Sequence, residues 1–378
     1  TISSGRALPD DLPERFKTML ENAERLLSDD FRGVTEAGSS ESGLYSIKDL
    51  GASNAGVTRA AKSFLASLSA DERESTLFSV DSDAWRRWSN VHPYLMRHGA
   101  FMDELAQTQR DLGMELLRES LSPQGFKTAQ DIMRLNESIL EITGRDDEYG
   151  EWLYWLSIMG EPSDTQPWGW QIDGHHLIIN YFVLGGQVVA TPTFMGSEPV
   201  AVDSGKYAGT RVFQAEEENG LALGMSFTPD QRAKATIAEE LPGDVFTSAF
   251  RDNFEMRYEG IGYDELSSGQ QKLVMAIAET YLGRMPEAHA KAKMAEVRAH
   301  LDKTYIAWIG GFSKDSVFYY RVHSPVVLIE FDHQRGIALD DDEPTRNHIH
   351  TVVRTPNGND YGKDLLRLHR EQHHRNGV

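Results

Sequence analysis

Three short stretches of the chain gather residues able to hold a metal ion or move a proton. In His348-Ile349-His350, followed by Thr351-Val352-Val353, two imidazoles stand at i and i+2 of what reads as a β-strand. Alternate strand residues share a face, so both rings can converge on one ion at about 2 Å. In Val326-Val327-Leu328-Ile329-Glu330-Phe331-Asp332-His333 an apolar run ends in two carboxylates, Glu330 and Asp332, again on one face. Buried carboxylates are costly unless they are paired or bind metal. One of them would complete a two-histidine, one-carboxylate set that leaves positions open for water or substrate. Arg321 or Arg354 would instead pair with them in a structural role. The third stretch is Gly174-His175-His176-Leu177, where a histidine pair opens a strand. Neighbouring strand residues face opposite ways, so only one of His175 and His176 is expected at a shared site, unless a bulge turns both.

Weaker features surround these. Arg354 heads a turn-rich loop reaching Asp360 and Gly362, and its guanidinium could hold a carboxylate or phosphate bidentately. Trp85, Arg86, Arg87 and Trp88 read either as a binding surface or as core. Residues 340–343 read as a solvated acidic loop, and His373-His374 as a tail without fixed geometry. The chain has no Gly-x-Ser-x-Gly, P-loop, dinucleotide fingerprint or His-Glu-x-x-His. Elbow-type serine hydrolases, P-loop nucleotide hydrolases, Rossmann oxidoreductases and zincin proteases are therefore disfavoured.

The leading expectation is a metal-dependent enzyme acting on a small, anionic organic substrate by hydrolysis or C–C/C–O cleavage. His348, His350 and one of His175 and His176 would hold a divalent ion (zinc, iron or copper), with Glu330 or Asp332 as the carboxylate. Arg354, Asp332 and Asp360 are the candidate catalytic groups. Two alternatives stay open: a mononuclear iron or copper oxidoreductase on the same ligands, and a non-catalytic protein that binds a small molecule in a histidine-lined pocket.

The bulk properties narrow the partners. Lys and Arg total 38 against 58 Asp and Glu, a net charge of −20. Such a chain is repelled by nucleic acid and by anionic membrane surfaces. There is no cysteine, which removes disulfides, thiolate nucleophiles and iron–sulfur ligation. The best apolar run, 177–184, contains Asn180 and is far short of the roughly 20 residues a membrane helix needs. The chain opens at Thr1 without a Met or an apolar signal core, which reads as a start trimmed by a signal peptidase or during preparation. A soluble protein, cytoplasmic or exported, is expected, of open oligomeric state.

These candidate residues must be positioned by an α+β body. Residues 1–43 read as a helical leader followed by a flexible Gly/Ser stretch. Apolar spacing predicts helices over 57–68, 104–120 and 128–142, with Ser69 capping another over 71–78. Strands are expected over 168–184 and 188–194 around the Gly185-Gly186 turn. Helical character returns over 229–301, then strands over 305–309, 317–322, 325–332 and 348–354. Helices precede strands twice, and residues 103–114 lie over 264–275 at a constant offset of 161, with Asp, Glu, Leu, Gln, Leu and Met coinciding. The cap at 69–73 resembles that at 228–232, and 168–182 can be laid on 318–332. The expected fold is thus an internal duplication: two related α+β halves with antiparallel sheets, 44–210 and 211–378, in one compact body behind the leader.

The same residues carry a resemblance. WGWQIDGHHL at 168–177, Thr191-Pro192-Thr193-Phe194, Ile329-Glu330-Phe331-Asp332, His348-Ile349-His350-Thr351-Val352, Asn359-Asp360-Tyr361-Gly362, Asp364-Leu365-Leu366 and His369 are similar to a large, mostly bacterial family. It is catalogued as a domain of unknown function numbered 3500. The resemblance covers the chain from about Leu44. It transfers no activity, but implies that these motifs mark the family's common site.

Overall fold

Local chemistry sets the helix starts. A computed structural model describes residues 7–375 apart from 93 and 341, with side chains as far as residue 372. After α1 (Glu14–Leu27) and α2 (Ala55–Ser67), Ser69 and Glu72 form a capping box for α3 (Ala70–Thr76), which runs directly into β1 (Leu77–Phe78). A short strand β2 (Ala100–Phe101) precedes α4 (Gln107–Ser120). Ser122 caps α5 (Pro123–Thr143) with Pro123 in its first turn, and Gly144 closes it at φ 70°. Then come β3 (Tyr154–Met159), β4 (Trp168–Gly174), β5 (Leu177–Leu184), β6 (Gln187–Val189) and β7 (Thr193–Ser197). The second set of elements begins with α6 (Gln214–Ser226), α7 (Pro229–Ala235), β8 (Thr236–Ala238), β9 (Ile261–Gly262), α8 (Ser268–Leu282) and α9 (Glu287–Arg298). It ends with β10 (Tyr305–Gly310), β11 (Phe318–His323), β12 (Leu328–Arg335), β13 (Pro344–Arg354) and α10 (Lys363–Arg375).

The strands described join one mostly antiparallel sheet whose main path runs β1-β3-β4-β5-β7-β13-β12-β11-β10-β8, with β2 paired to β3, β6 to β5 and β9 to β10 beside it. The order is the same read outward from either side of the central β7–β13 pair: three antiparallel strands, then a short parallel edge strand. Strand alternation gives the sheet two unlike faces. One is apolar, carrying Trp168, Trp170, Ile179, Met195, Ile329, Phe331 and Val353 into a core shared with α2, α4, α5, α8 and α9. The other presents Phe194, Glu330, Asp332, His348, His350 and Arg354, and is roofed largely by segments around residues 27–50, 79–92 and 244–254 together with α10.

Several expectations change. The region 229–301 is not continuously helical: after α7 the chain leaves for β8 and an irregular stretch from 239 to 260, where Pro242, Gly243 and Gly260 interrupt any helical run. The Gly/Ser stretch after α1 is tied down, with Val34 and Thr35 buried and the Asn357 N–H donating to Val34 O at 2.8 Å. α10 carries the backbone through His373 and His374, whose side chains lie outside the described residues, as does Asp341 of the acidic loop. Among the described residues no helix is long and apolar enough to cross a membrane.

Candidate metal centre

The turn between β4 and β5 decides which histidine faces the site. His175 and His176 do not open a strand; they are the two residues between the end of β4 and the start of β5. His176 takes φ 63°, a left-handed conformation that costs a non-glycine residue about 1–3 kcal/mol and persists only where surroundings enforce it. Its N–H donates to Asn90 O at 3.3 Å, and its carbonyl accepts from Gly196 N–H at 2.8 Å. Because the pair is a turn, strand alternation does not apply, and the two rings stack with centroids 3.8 Å apart.

His348 and His350 stand on one face of β13, as their spacing requires. Their Nε2 atoms are 3.1 Å apart, and His176 Nε2 lies 3.2 Å from the first and 3.1 Å from the second. Three nitrogens each about 2 Å from one ion would be separated by about 2.9–3.4 Å. This buried cluster could hold a metal ion, and it is the one such group among the described residues.

The far side of each β13 ring sets its protonation. His348 Nδ1 lies 2.7 Å from Arg335 O, which can only accept, so the hydrogen is on Nδ1. His350 Nδ1 lies 2.9 Å from Asp244 Oδ1 and donates to that carboxylate. Each of these rings thus turns its Nε2 toward the other at 3.1 Å, with His176 Nε2 closing the triangle. Burial pushes His348 and His176 well below the ordinary imidazole range, and neighbouring imidazoles add to it.

Two residues without motif character shape the pocket. Gly196, on β7 opposite His350, leaves space for the rings: a Cβ there would stand 2.8 Å from His350 Cδ2 and 3.1 Å from His176 Cδ2. Glu198 accepts the N–H groups of Ile337, Ala338 and Leu339 at 3.0–3.2 Å and holds its carboxylate 3.6 Å from His348 Nδ1. Phe194 meets the His350 ring edge-on at 5.0 Å. Neither Asp244 nor Glu198 carried a recognisable spacing, since each reaches the site from a loop or strand end remote in sequence.

The other sequence-predicted residues sit elsewhere. His175 gives no atom to the triad; its Nδ1 pairs with Asn136 Oδ1 at 2.8 Å. Glu330 accepts from Phe246 N, Thr247 N, Thr247 Oγ1 and Tyr319 Oη at 2.5–2.9 Å, so it fastens the loop that carries Asp244. Asp332 is paired in register with His350, accepts from Gln334 Nε2 through one oxygen and leaves the other buried without a partner. Burial raises its pKa, and Asp244 and Glu330 raise it further. Arg354 is fully buried, bonded to Asp360 Oδ2 at 3.0 Å and to Thr247 O at 2.8 and 3.0 Å. Arg354 and Asp360 therefore clamp two loops together. Trp85 and Trp88 are core residues, and Arg86 between them is buried against Asp252 at 2.7 Å, so this stretch is no binding surface.

The model of one family, described as "Protein of unknown function (DUF3500)", matches residues 51–363. The chain belongs to that family. The matched span contains His176, His348 and His350 together with Gly196, Glu198 and Asp244, so the whole cluster lies within the family domain. No curated protein matches the chain, and no solved structure matches it.

Proposed function

We propose that this protein is a metal-dependent enzyme whose single divalent ion is held by Nε2 of His176, His348 and His350. The observation that carries the reading is the convergence of the three Nε2 atoms at 3.1–3.2 Å, with those of His348 and His350 turned inward by acceptors on their Nδ1 atoms. Three imidazoles would leave a coordination position for water or substrate, and zinc so held would lower the pKa of its water to near 7. Hydrolysis, or C–C/C–O cleavage of a small organic molecule beside a polarised carbonyl, follows from that chemistry. Iron or copper on the same nitrogens would serve oxygen chemistry instead.

His175 is the proposed proton acceptor. Asn136 donates through Nδ2 to Gly150 O at 2.7 Å, which fixes its amide with Oδ1 toward His175 Nδ1. The His175 hydrogen is then on Nδ1, which leaves Nε2 free of it, and the ring stacked on His176 would supply the site with a proton acceptor beside an ion held there.

The test is elemental analysis of protein purified without added metal, with hydrolysis of 4-nitrophenyl acetate as the activity probe. Wild type should carry about one ion per chain, while His176→Ala, His348→Ala and His350→Ala should carry none. His175→Ala should keep the ion and lose turnover. Equal metal content in all five proteins would overturn the centre. A metal-loaded wild type no faster than metal-free His348→Ala would overturn the hydrolytic chemistry while leaving the centre standing.

We further infer that the two halves of the sheet descend from one duplicated unit. The support lies in matched pairs at constant offsets. Trp170 stacks on Tyr181 across β4 and β5 at 5.3 Å, and Tyr320 on Phe331 across β11 and β12 at 5.0 Å, both displaced by 150 residues. Trp170 bonds Ser120 on α4, and Tyr320 bonds Tyr281 on α8, a helix offset of 161. Gln109 donates to Ser67 O and Glu72, and Gln270 to Ser226 O and Gln231. In a crystal structure, the rotation that lays α4 on α8 should also lay Trp170 on Tyr320; a rotation that separates them would refute common descent.

A further inference from the structure

A mostly apolar cavity lies on the apolar side of the sheet, away from the histidines. It measures about 260 Å³ and is walled by β5, β6, β7 and β13 on one side and by α8 and α9 on the other, with residues 45–50 as a strap. Met195 and Val353, which line it, lie in the core opposite to the face that carries His350 and Phe194, so the sheet itself separates the two places. Ile179, Val188, Leu282 and Ala292 complete an apolar wall.

Its charges are few and unequal. Arg284 is neutralised by Glu216. Lys48 Nζ and Lys293 Nζ both turn to Glu296, at 3.7 and 3.2 Å. Lys293 also donates to Val326 O at 2.8 Å. Two ammonium groups share one carboxylate, which leaves one positive charge in the cavity wall of a chain whose net charge is −20. An apolar pocket with one uncompensated cation fits an amphipathic monoanion.

We propose that this cavity binds a small carboxylate with an apolar body, its carboxylate at Lys48 and Lys293 and its chain against Met195, Leu282 and Val353. The size follows from the volume. A dry cavity of about 150 Å³ holds benzene, so 260 Å³ accepts a chain of roughly eight carbons. The site is independent of the metal centre, and nothing in the proposed chemistry requires it.

Calorimetric titration of the full chain with octanoate, 1-octanol and acetate tests the assignment. Octanoate should bind one per chain, 1-octanol at least tenfold more weakly, and acetate without measurable heat. Ala292→Phe and Val188→Phe, which fill the cavity, should abolish octanoate binding. Lys48→Met should bring octanoate down to the level of 1-octanol while leaving metal content unchanged. Melting temperatures identify any variant that fails to fold, and Lys48→Met, a change at a half-exposed side chain, keeps the test decisive. No octanoate binding by wild type, equal affinity for octanoate and 1-octanol, or unaltered octanoate binding by folded filled-cavity variants would each overturn the proposal.

Discussion

His350 and Asp244, 106 residues apart in sequence, are joined by a 2.9 Å contact between Nδ1 and Oδ1 that fixes the imidazole with its Nε2 toward His176 and His348. A carboxylate behind a ligating histidine also raises the basicity of the ligand. Asp244→Asn keeps the shape and an acceptor oxygen but removes the charge. Its metal affinity should fall by about 10–100-fold, as measured by competition with a chelator of known affinity. Unchanged affinity would show that the carboxylate plays no part in the centre.

Gly196→Ala tests the packing of the rings. The new methyl would stand 2.8 Å from both His350 Cδ2 and Ile349 O, and neither a backbone carbonyl nor a ring held on both sides yields easily. Overpacking of this kind costs about 1–3 kcal/mol. The expected result is a lower melting temperature together with reduced metal content in the folded fraction. A variant that keeps full metal and wild-type stability would mean that the two rings lie farther from β7.

Arg354→Lys separates a clamp from a substrate anchor. The guanidinium joins Asp360, Thr247 O and Ser248 O within the protein, and an ammonium group cannot span that fork. Breaking a buried pair costs about 3–5 kcal/mol. Stability should fall by that amount in denaturant titration, while metal stoichiometry at saturation stays at wild-type level. Wild-type stability would reassign Arg354 to the function of the site.

His323 offers a pH test remote from the triad. Burial lowers its pKa to about 3, against an unfolded value of about 6.5, and its Nδ1 has no partner. The unfolded chain therefore binds this proton first as pH falls. The folded state loses stability from about pH 6.5 downward, by about 2 kcal/mol at pH 5 relative to pH 7. Asp173 and Asp332, raised by burial, act in the opposite sense, so the informative quantity is a difference between proteins. His323→Phe should lose less stability than wild type between pH 7 and pH 5; identical losses would refute a neutral buried His323.

The residues of β13 were legible because strand periodicity is local: i and i+2 share a face whatever surrounds them, and His348 and His350 do converge. The apolar runs, the caps at Ser69 and Thr228 and the Gly185-Gly186 turn were legible for the same reason, since each depends on residues only a few positions apart. The choice between His175 and His176 was not, because it depends on a left-handed turn held by Asn90 and Gly196 rather than on strand alternation. The fate of Glu330 was hidden too. A buried carboxylate can be satisfied by a metal, an arginine or backbone N–H groups, and the donors at Phe246 and Thr247 arrive from over eighty residues away. Sequence alone thus determined which side chains could bind an ion and which strand face two of them share. Only the tertiary structure decided that His176 joins His348 and His350, which acceptors orient the rings, and that Arg354 and Glu330 are bonded to the loop at 246–248, because long-range hydrogen-bond partners leave no mark on local spacing.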